Sequence, residues 1–144
     1  MRLEVTRRSD LATRALLLLN EGKKMKALEL ARDLDASAGF LTQALTPLVT
    51  AGWIRSDPGP TGGYSLQQDL RMISVLDVVE AIEGPTDVAS CVLEDRPCNG
   101  AGPGPSHDSG HCAMHESWVK ARSHLLADLA KTPLSTVAER RSAR

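Results

Sequence analysis

The three cysteines of this chain lie in one glycine-rich, acidic stretch in the second half of the sequence. They are Cys91, Cys98 and Cys112, and two histidines, His111 and His115, lie beside the last of them. Thiolates and imidazoles are the ligands that zinc and iron–sulfur clusters use, so this loop is predicted to form a metal site. Because His115 is three residues after Cys112, a helix starting there would present both side chains on one face.

The spacing of the cysteines favours an iron–sulfur cluster over zinc. Zinc sites usually contain cysteine pairs separated by about two to four residues. Here six residues separate Cys91 from Cys98, and thirteen separate Cys98 from Cys112. An imidazole ligand is neutral, can be protonated and raises the reduction potential of a cluster, which suits a switch. Zinc is kept as the less favoured metal.

The composition indicates one small, mainly helical protein. A chain of 144 residues can bury one ordinary core, or one small domain and an oligomerising helix. With one Phe, one Tyr and two Trp, the core must be filled by Leu and Ala, which favours helices. The longest apolar run, 15–19, is too short to span a membrane and no signal segment is visible, so we expect a cytoplasmic protein. An odd number of cysteines there does not indicate a disulfide framework.

Charge is unevenly distributed along the chain, although the total is only −1. Residues 1–56 contain nine Lys/Arg and six Asp/Glu, whereas residues 57–112 contain two and nine. Residues 113–144 are basic again, with six and three. A basic N-terminal part is compatible with a surface that faces DNA.

Hydrophobic periodicity predicts three helices followed by a hairpin. The helices are expected at 10–20, 26–33 and 37–50, the last capped by Ser37, bent or weakened at Pro47 and closed by Gly52. Extended segments at 53–56 and 63–66 flank a run of turn-forming residues. A fourth helix is expected at 74–82, with Ser74 as its cap. This order predicts a mainly α fold with a small β-hairpin, namely a winged helix-turn-helix domain.

Such a domain would place its third helix in the major groove and its hairpin over the DNA backbone or minor groove. The polar residues on the third helix and near the wing are the candidate DNA-binding residues: Ser37, Thr42, Gln43, Thr46, Arg55 and Thr61. No nucleophile–base pair, phosphate loop or carboxylate pair is visible, so we do not expect an enzyme.

A long amphipathic helix is expected from Ala113 to Ala130. Its apolar stripe, more than a domain of this size can easily cover, consists of Trp118, Ala121, Leu125 and Leu129. Pairing of this stripe with a second copy predicts a homodimer, whose twofold symmetry matches a palindromic operator in double-stranded DNA.

Three segments carry a specific resemblance: Leu-x-x-x-Gly-Trp-Ile-Arg-Ser, Gly-Pro-Thr-Gly-Gly-Tyr-Ser-Leu and Ile-Ser-Val-Leu-Asp-Val-Val-Glu-Ala-Ile-Glu-Gly. With the cysteine loop that follows them, they resemble the Rrf-two family of bacterial transcription regulators, including its IscR-like and NsrR-like members. The resemblance implies a winged-helix domain, a dimerisation helix and an iron–sulfur cluster held by the loop between them. At the wing, Pro58 replaces an arginine of the IscR-like members and Asp57 adds a negative charge, so we expect a different sequence preference.

The resemblance also implies a ligand set. The segment from Cys112 to Trp118 is similar to the Cys-x-x-His-x-x-Trp of family members with a 2Fe–2S cluster, which implies Cys91, Cys98, Cys112 and His115 as ligands. The interval between the second and third cysteines is longer than is usual in the family, because of residues 100–110. Two alternatives exist for the fourth ligand. One is His111, and the other is Asp10, which matches an aspartate that crosses the dimer in 4Fe–4S members.

We therefore expect three parts: a winged helix-turn-helix domain at 1–83, a cluster-binding loop at 84–112, and a dimerisation helix with its tail at 113–144. The expected function is transcription regulation by a homodimeric DNA-binding repressor whose operator binding is controlled by an iron–sulfur cluster that senses redox state, nitric oxide or iron–sulfur status. The alternative is a metal-dependent protein-binding scaffold or cluster carrier with a winged-helix fold.

Overall fold

A computed structural model describes residues 4–85 and 115–143 of the chain. The elements in these two ranges are α1 (Arg7–Leu19), α2 (Ala27–Asp33), α3 (Ala38–Thr50), β1 (Ile54–Asp57), β2 (Gly63–Leu66), a 3-10 turn (Leu70–Met72), α4 (Val75–Glu83), α5 (His115–Ala130) and α6 (Leu134–Ser142). The mainly α fold with one antiparallel hairpin is confirmed. The chain divides into two compact units, Met1–Gly84 with Leu129–Arg144, and Pro85–Asp128.

Local caps set most helix boundaries in the first unit. The Ser37 hydroxyl accepts the Phe40 N–H at 3.2 Å and starts α3. At the other end of α3, Gly52 has φ +76°, and the N–H groups of Gly52 and Trp53 bond to carbonyls of the last turn. Helix α3 continues to Thr50 although Pro47 lies inside it.

Helix α1 begins three residues before the predicted start at Asp10. The Thr6 hydroxyl accepts the Ser9 N–H at 3.2 Å and caps the helix, so Asp10 lies within the first turn instead of at its edge. The predicted start of α5 at Ala113 lies outside the described residues, of which the helix includes His115–Ala130.

One apolar core joins α1, α3 and α4. Leu16 of α1, Leu45 of α3 and Val78 of α4 are completely buried in it. On α4, Val78 and Ile82 are buried, whereas Val75 is only half-buried. The hairpin pairs Ile54 with Leu66, and Ile54 reaches the core.

The C-terminal segment of the chain adds to the same core. The N–H of Leu134 bonds to the carbonyl of Ile73 at 2.9 Å, and the N–H of Val75 bonds to the carbonyl of Thr132 at 2.9 Å. The Leu134 side chain is fully buried. The division of the chain at 84 and 113 remains a prediction, but residues 132–134 are held against the segment that precedes α4.

Candidate nucleic-acid interface and metal centre

Four of the predicted DNA-binding residues lie on the exposed side of α3. Ser37 precedes the helix as its cap, and Thr42, Gln43 and Thr46 are all exposed. The opposite side of the helix is buried through Leu41, Ala44, Leu45 and Leu48. Helix α3 can therefore present one polar face while its apolar face is fixed in the core.

The threonines of this face bond back to their own helix. The hydroxyl of Thr42 donates to the carbonyl of Ala38 at 2.9 Å, and that of Thr46 donates to the carbonyl of Thr42 at 2.7 Å. Thr50 donates to the carbonyl of Thr46 at 3.1 Å. Their hydroxyl protons are thus used within α3, which leaves acceptor lone pairs and methyl groups for a partner.

Gln43 has a different environment from the threonines. Its side chain is exposed and makes no hydrogen bond with the residues of 4–85 and 115–143. Four residues later, Pro47 has no N–H, so the carbonyl of Gln43 lacks the helix donor that it would otherwise meet. Gln43 therefore offers its side-chain amide to a ligand.

The wing carries the other two predicted residues, Arg55 and Thr61, and both are exposed. The Nε of Arg55 lies 2.7 Å from one carboxylate oxygen of Asp57, and the Nζ of Lys24 lies 2.7 Å from the other. The Lys24 hydrogen bond, followed by that from Arg55, lowers the pKa of Asp57 despite some desolvation. Asp57 is thus shared by two cations, which offsets the repulsion expected from it.

Lys24 was not predicted as part of this site because it precedes Asp57 by 33 residues. It reaches the wing because Met25 and Tyr64 exchange backbone hydrogen bonds at 3.0 and 2.8 Å. The close approach also requires Gly63, where a Cβ atom would come within 2.5 Å of the Met25 carbonyl oxygen. The loop before α2 therefore holds the wing near its turn.

Another basic residue near α3 was also not predicted. The guanidinium carbon of Arg7 lies 5.6 Å from the centre of the Phe40 ring, in the first turn of α3. Such stacking orients a guanidinium and leaves its edge available for hydrogen bonds. Arg7 is exposed and so extends the basic surface beside the start of α3.

Most of the predicted metal ligands lie outside the described residues. Cys91, Cys98, His111 and Cys112 belong to 86–114, and His115 is placed only as the first residue of α5. Within 4–85 and 115–143, no three His, Cys, Asp or Glu side chains are grouped as a metal site would require. The ligand set of Cys91, Cys98, Cys112 and His115 therefore stays a prediction.

Asp10, the alternative ligand, lies in the first turn of α1. Its carboxylate is 52% exposed and lies 3.8 Å from the guanidinium of Arg14, one turn later on α1. This contact is the surface ion pair expected at such spacing in a helix. Asp10 is accessible to a ligand, but it also has this ordinary structural role.

Trp118 is the described residue that bears on whether this chain fits an iron–sulfur cluster. Its indole Nε1 is buried, and it has no hydrogen-bond partner among the described residues. Trp118 is three residues, or about one helical turn, after the predicted ligand His115 in α5. A buried N–H requires an acceptor, and the sulfur atoms of a cluster would provide one. Three thiolates, an imidazole and an unused N–H donor fit an iron–sulfur group.

The predicted apolar stripe of α5 is only partly covered in the single chain. Leu125 is 41% exposed and Val119, beside the stripe, is 39% exposed. Ala121 is also exposed, whereas Trp118 and Leu129 are half-buried.

Within the described residues, no helix is long and apolar enough to cross a membrane.

The order of three helices, a two-stranded wing and a fourth helix defines a winged helix-turn-helix protein, a class of DNA-binding protein. The model of the Rrf2 family, described as iron-dependent transcriptional regulator, matches residues 5–140. The chain therefore belongs to the Rrf2 family, whose members are transcription regulators and not enzymes, as the sequence predicted.

Relatives within the curated proteins are similar over different lengths. The regulator YffB of Lactococcus lactis is 42% identical over 66 residues, which span 46% of this chain and 42% of that protein. IscR of Cereibacter sphaeroides is 27% identical over 109 residues, which span 76% of this chain and 66% of that protein. Because these matches cover only part of each relative, they do not assign regulated genes or a signal to this protein.

A solved structure confirms the winged-helix fold over nearly the whole chain. CymR of Bacillus subtilis, described as the global cysteine regulator of that organism, superposes with a TM-score of 0.70 at 22% identity. The superposition covers 96% of this chain and 98% of CymR.

Proposed function

We propose that this chain forms a homodimeric DNA-binding regulator whose operator affinity is controlled by an iron–sulfur cluster. The observation that carries the proposal is the match to an iron-dependent family in a chain whose three cysteines share one loop. The proposed ligands are Cys91, Cys98, Cys112 and His115, holding a 2Fe–2S cluster. A 4Fe–4S cluster with Asp10, or a site completed by His111, is the alternative. Such a regulator acts in the cytoplasm, where the DNA is.

A cluster would supply a group whose charge changes on oxidation, reduction or loss. The chain itself supplies the remaining parts. Helix α3 and the wing bind DNA, and the partly exposed stripe of α5 pairs with that of a second chain. In the proposed site, the buried indole N–H of Trp118 is available to donate to a sulfur atom of the cluster.

Iron content must be measured directly, because the structural neighbour CymR is titled a cysteine regulator. The protein is purified without oxygen, and its iron, zinc, sulfide and absorption spectrum are determined. We expect about two irons and two sulfides per protomer, with visible absorption that Cys98→Ser abolishes. Stoichiometric zinc without visible absorption would refute the proposal.

The fourth ligand is tested by three matched alanine variants. His115→Ala should destabilise the cluster or shift its reduction potential, whereas Asp10→Ala and His111→Ala should leave the spectrum nearly unchanged. If Asp10→Ala has the large effect instead, the ligand crosses between chains and a 4Fe–4S cluster becomes the assignment.

Control of DNA binding is tested by comparing intact and cluster-free protein. We expect their affinities for a selected palindromic site to differ by at least about tenfold, or roughly 1.4 kcal/mol of coupling. Mobility shift at one fixed salt concentration measures the difference. Equal affinities would remove the sensor function while leaving DNA binding in place.

A further inference from the structure

Helix α3 lacks the charged side chains that read guanine or cytosine. The segment Ala38–Thr50 contains no Arg, Lys, Asp or Glu. In the major groove, Arg and Lys recognise guanine and carboxylates recognise cytosine, whereas Asn and Gln recognise adenine and apolar groups contact the thymine methyl. Of these four kinds of reader, α3 offers only the last two.

The adenine reader is Gln43. Its amide has one donor and one acceptor edge, which can pair simultaneously with N7 and N6 of adenine. The side chain is exposed and makes no hydrogen bond with the described residues. Binding to a base would therefore not require breaking an existing hydrogen bond.

The threonines supply methyl groups. Because the hydroxyls of Thr42 and Thr46 donate to helix carbonyls at 2.9 and 2.7 Å, they do not present free donors to a guanine O6 or N7. Both residues are exposed on the same side of α3 as Gln43. Their methyl groups remain for contact with thymine.

We infer that the operator half-site of this protein is built on A·T pairs read in the major groove, with Gln43 on adenine and Thr42 and Thr46 against thymine methyls. The inference rests on the proposed DNA-binding function and names the class of sequence that this function recognises. It is independent of the metal, since α3 lies wholly within residues 4–85.

The experiment begins with selection of binding sites from a random duplex pool by the full-length protein. In a selected site, single A·T pairs are replaced by inosine·cytosine pairs, which keep the minor-groove pattern of A·T but present the major-groove pattern of G·C. We expect each contacted replacement to weaken specific binding by at least about tenfold. Replacing thymine by deoxyuridine removes only the methyl group and should weaken binding by about threefold or more.

Variants connect these losses to α3. Gln43→Glu should move the preference at one position of each half-site from A·T toward C·G, because a carboxylate accepts from the cytosine amino group. Gln67→Glu, which adds the same charge at an exposed position after β2, is the matched control and should leave the preference unchanged. Urea unfolding verifies that both variants fold.

The outcomes separate two failures. Specific binding to half-sites with G·C at the contacted positions, or tolerance of inosine·cytosine, would overturn the inference and leave the DNA-binding function intact. Tolerance of inosine·cytosine would mean that the minor groove or DNA shape is read instead. No selected site of any kind would overturn both the inference and the proposed function.

Discussion

The end of α4 is held to the start of α1 by Glu83, and we predict that this contact stabilises the winged domain. The Glu83 carboxylate accepts hydrogen bonds from the hydroxyls of Ser9 and Thr6, the latter at 2.9 Å. Ser9 is only 1% exposed, so its hydroxyl has little access to water. Glu83 is also the last residue of α4, directly before the segment that leads to the cysteines.

The magnitude follows from the two bonds and the exposure of the carboxylate. A hydrogen bond to a charged group contributes about 1.5–3 kcal/mol, but solvent screens a carboxylate that remains largely exposed. We therefore expect Glu83→Ala to lower the free energy of unfolding by about 1–2 kcal/mol. Glu83→Gln keeps a carbonyl acceptor and should cost about half as much. A double-mutant cycle with Ser9→Ala should give a coupling energy of about 1 kcal/mol.

The contribution of Glu83 should depend on pH in a defined direction. The Ser9 hydrogen bond, with those of Thr6, lowers the pKa of Glu83 below its ordinary value of 4.5, although partial burial opposes this. A carboxylate with a lowered pKa stabilises the fold above its ordinary pKa and loses that contribution as pH falls through the folded value. The difference between wild type and Glu83→Gln should be constant from about pH 7 to 5.5 and shrink below pH 4.5.

Urea unfolding followed by circular dichroism measures these differences at each pH. Glu29→Gln, at an exposed position on α2, is the comparison for a general change of charge. A coupling energy near zero, or a difference between wild type and Glu83→Gln that persists unchanged at pH 3.5, would refute the reasoning.

Three further predictions concern the wing, the tail and the dimer. Asp57→Ala frees two cations at the turn end of the wing, so affinity for random DNA should rise and the slope of log K against log salt should steepen by up to roughly 1.8, about 0.9 for each freed cation, measured by fluorescence anisotropy; an unchanged slope would contradict this. Leu134→Ala empties a fully buried position and should lower the unfolding free energy by about 3 kcal/mol in urea; a loss below about 1 kcal/mol would mean that the tail is not part of the core. Leu125→Asp should disrupt the dimer in analytical ultracentrifugation, whereas Ala127→Asp, on the other side of α5, should not; a monomeric wild type at micromolar concentration would count against the interface.

Local signals in the sequence were sufficient for most element boundaries. Ser37, Gly52 and Ser74 each act through backbone groups within a few residues, so their roles can be read from neighbouring positions. The cap at Thr6 was not found, because two arginines follow it instead of an apolar repeat. The pattern that located α1 therefore began too late.

Contacts between distant parts of the chain could not be read in this way. The pairing of Lys24 with Asp57 depends on a loop laid against β2, and no periodicity indicates which cation will reach a given carboxylate. The burial of Leu134 likewise depends on backbone pairing with Ile73. For the metal ligands, Cys91, Cys98 and Cys112 lie outside the described residues, so their assignment stays a prediction.

The arrangement of charges separates affinity from specificity in this protein. The exposed face of α3 carries no charged residue, whereas Arg7 lies beside the start of this helix. Arg55 lies on the wing, and Lys24 of the loop before α2 contacts the same wing carboxylate. Attraction to phosphates must therefore come from residues around α3, and recognition of bases from α3 itself. Phosphate contacts are the same at every sequence, so a small change in the spacing of two recognition helices would remove base contacts at a palindrome while preserving most non-specific binding. A sensor built on this domain would therefore act chiefly on the ratio of specific to non-specific affinity, and that ratio is the quantity to measure when intact and cluster-free protein are compared.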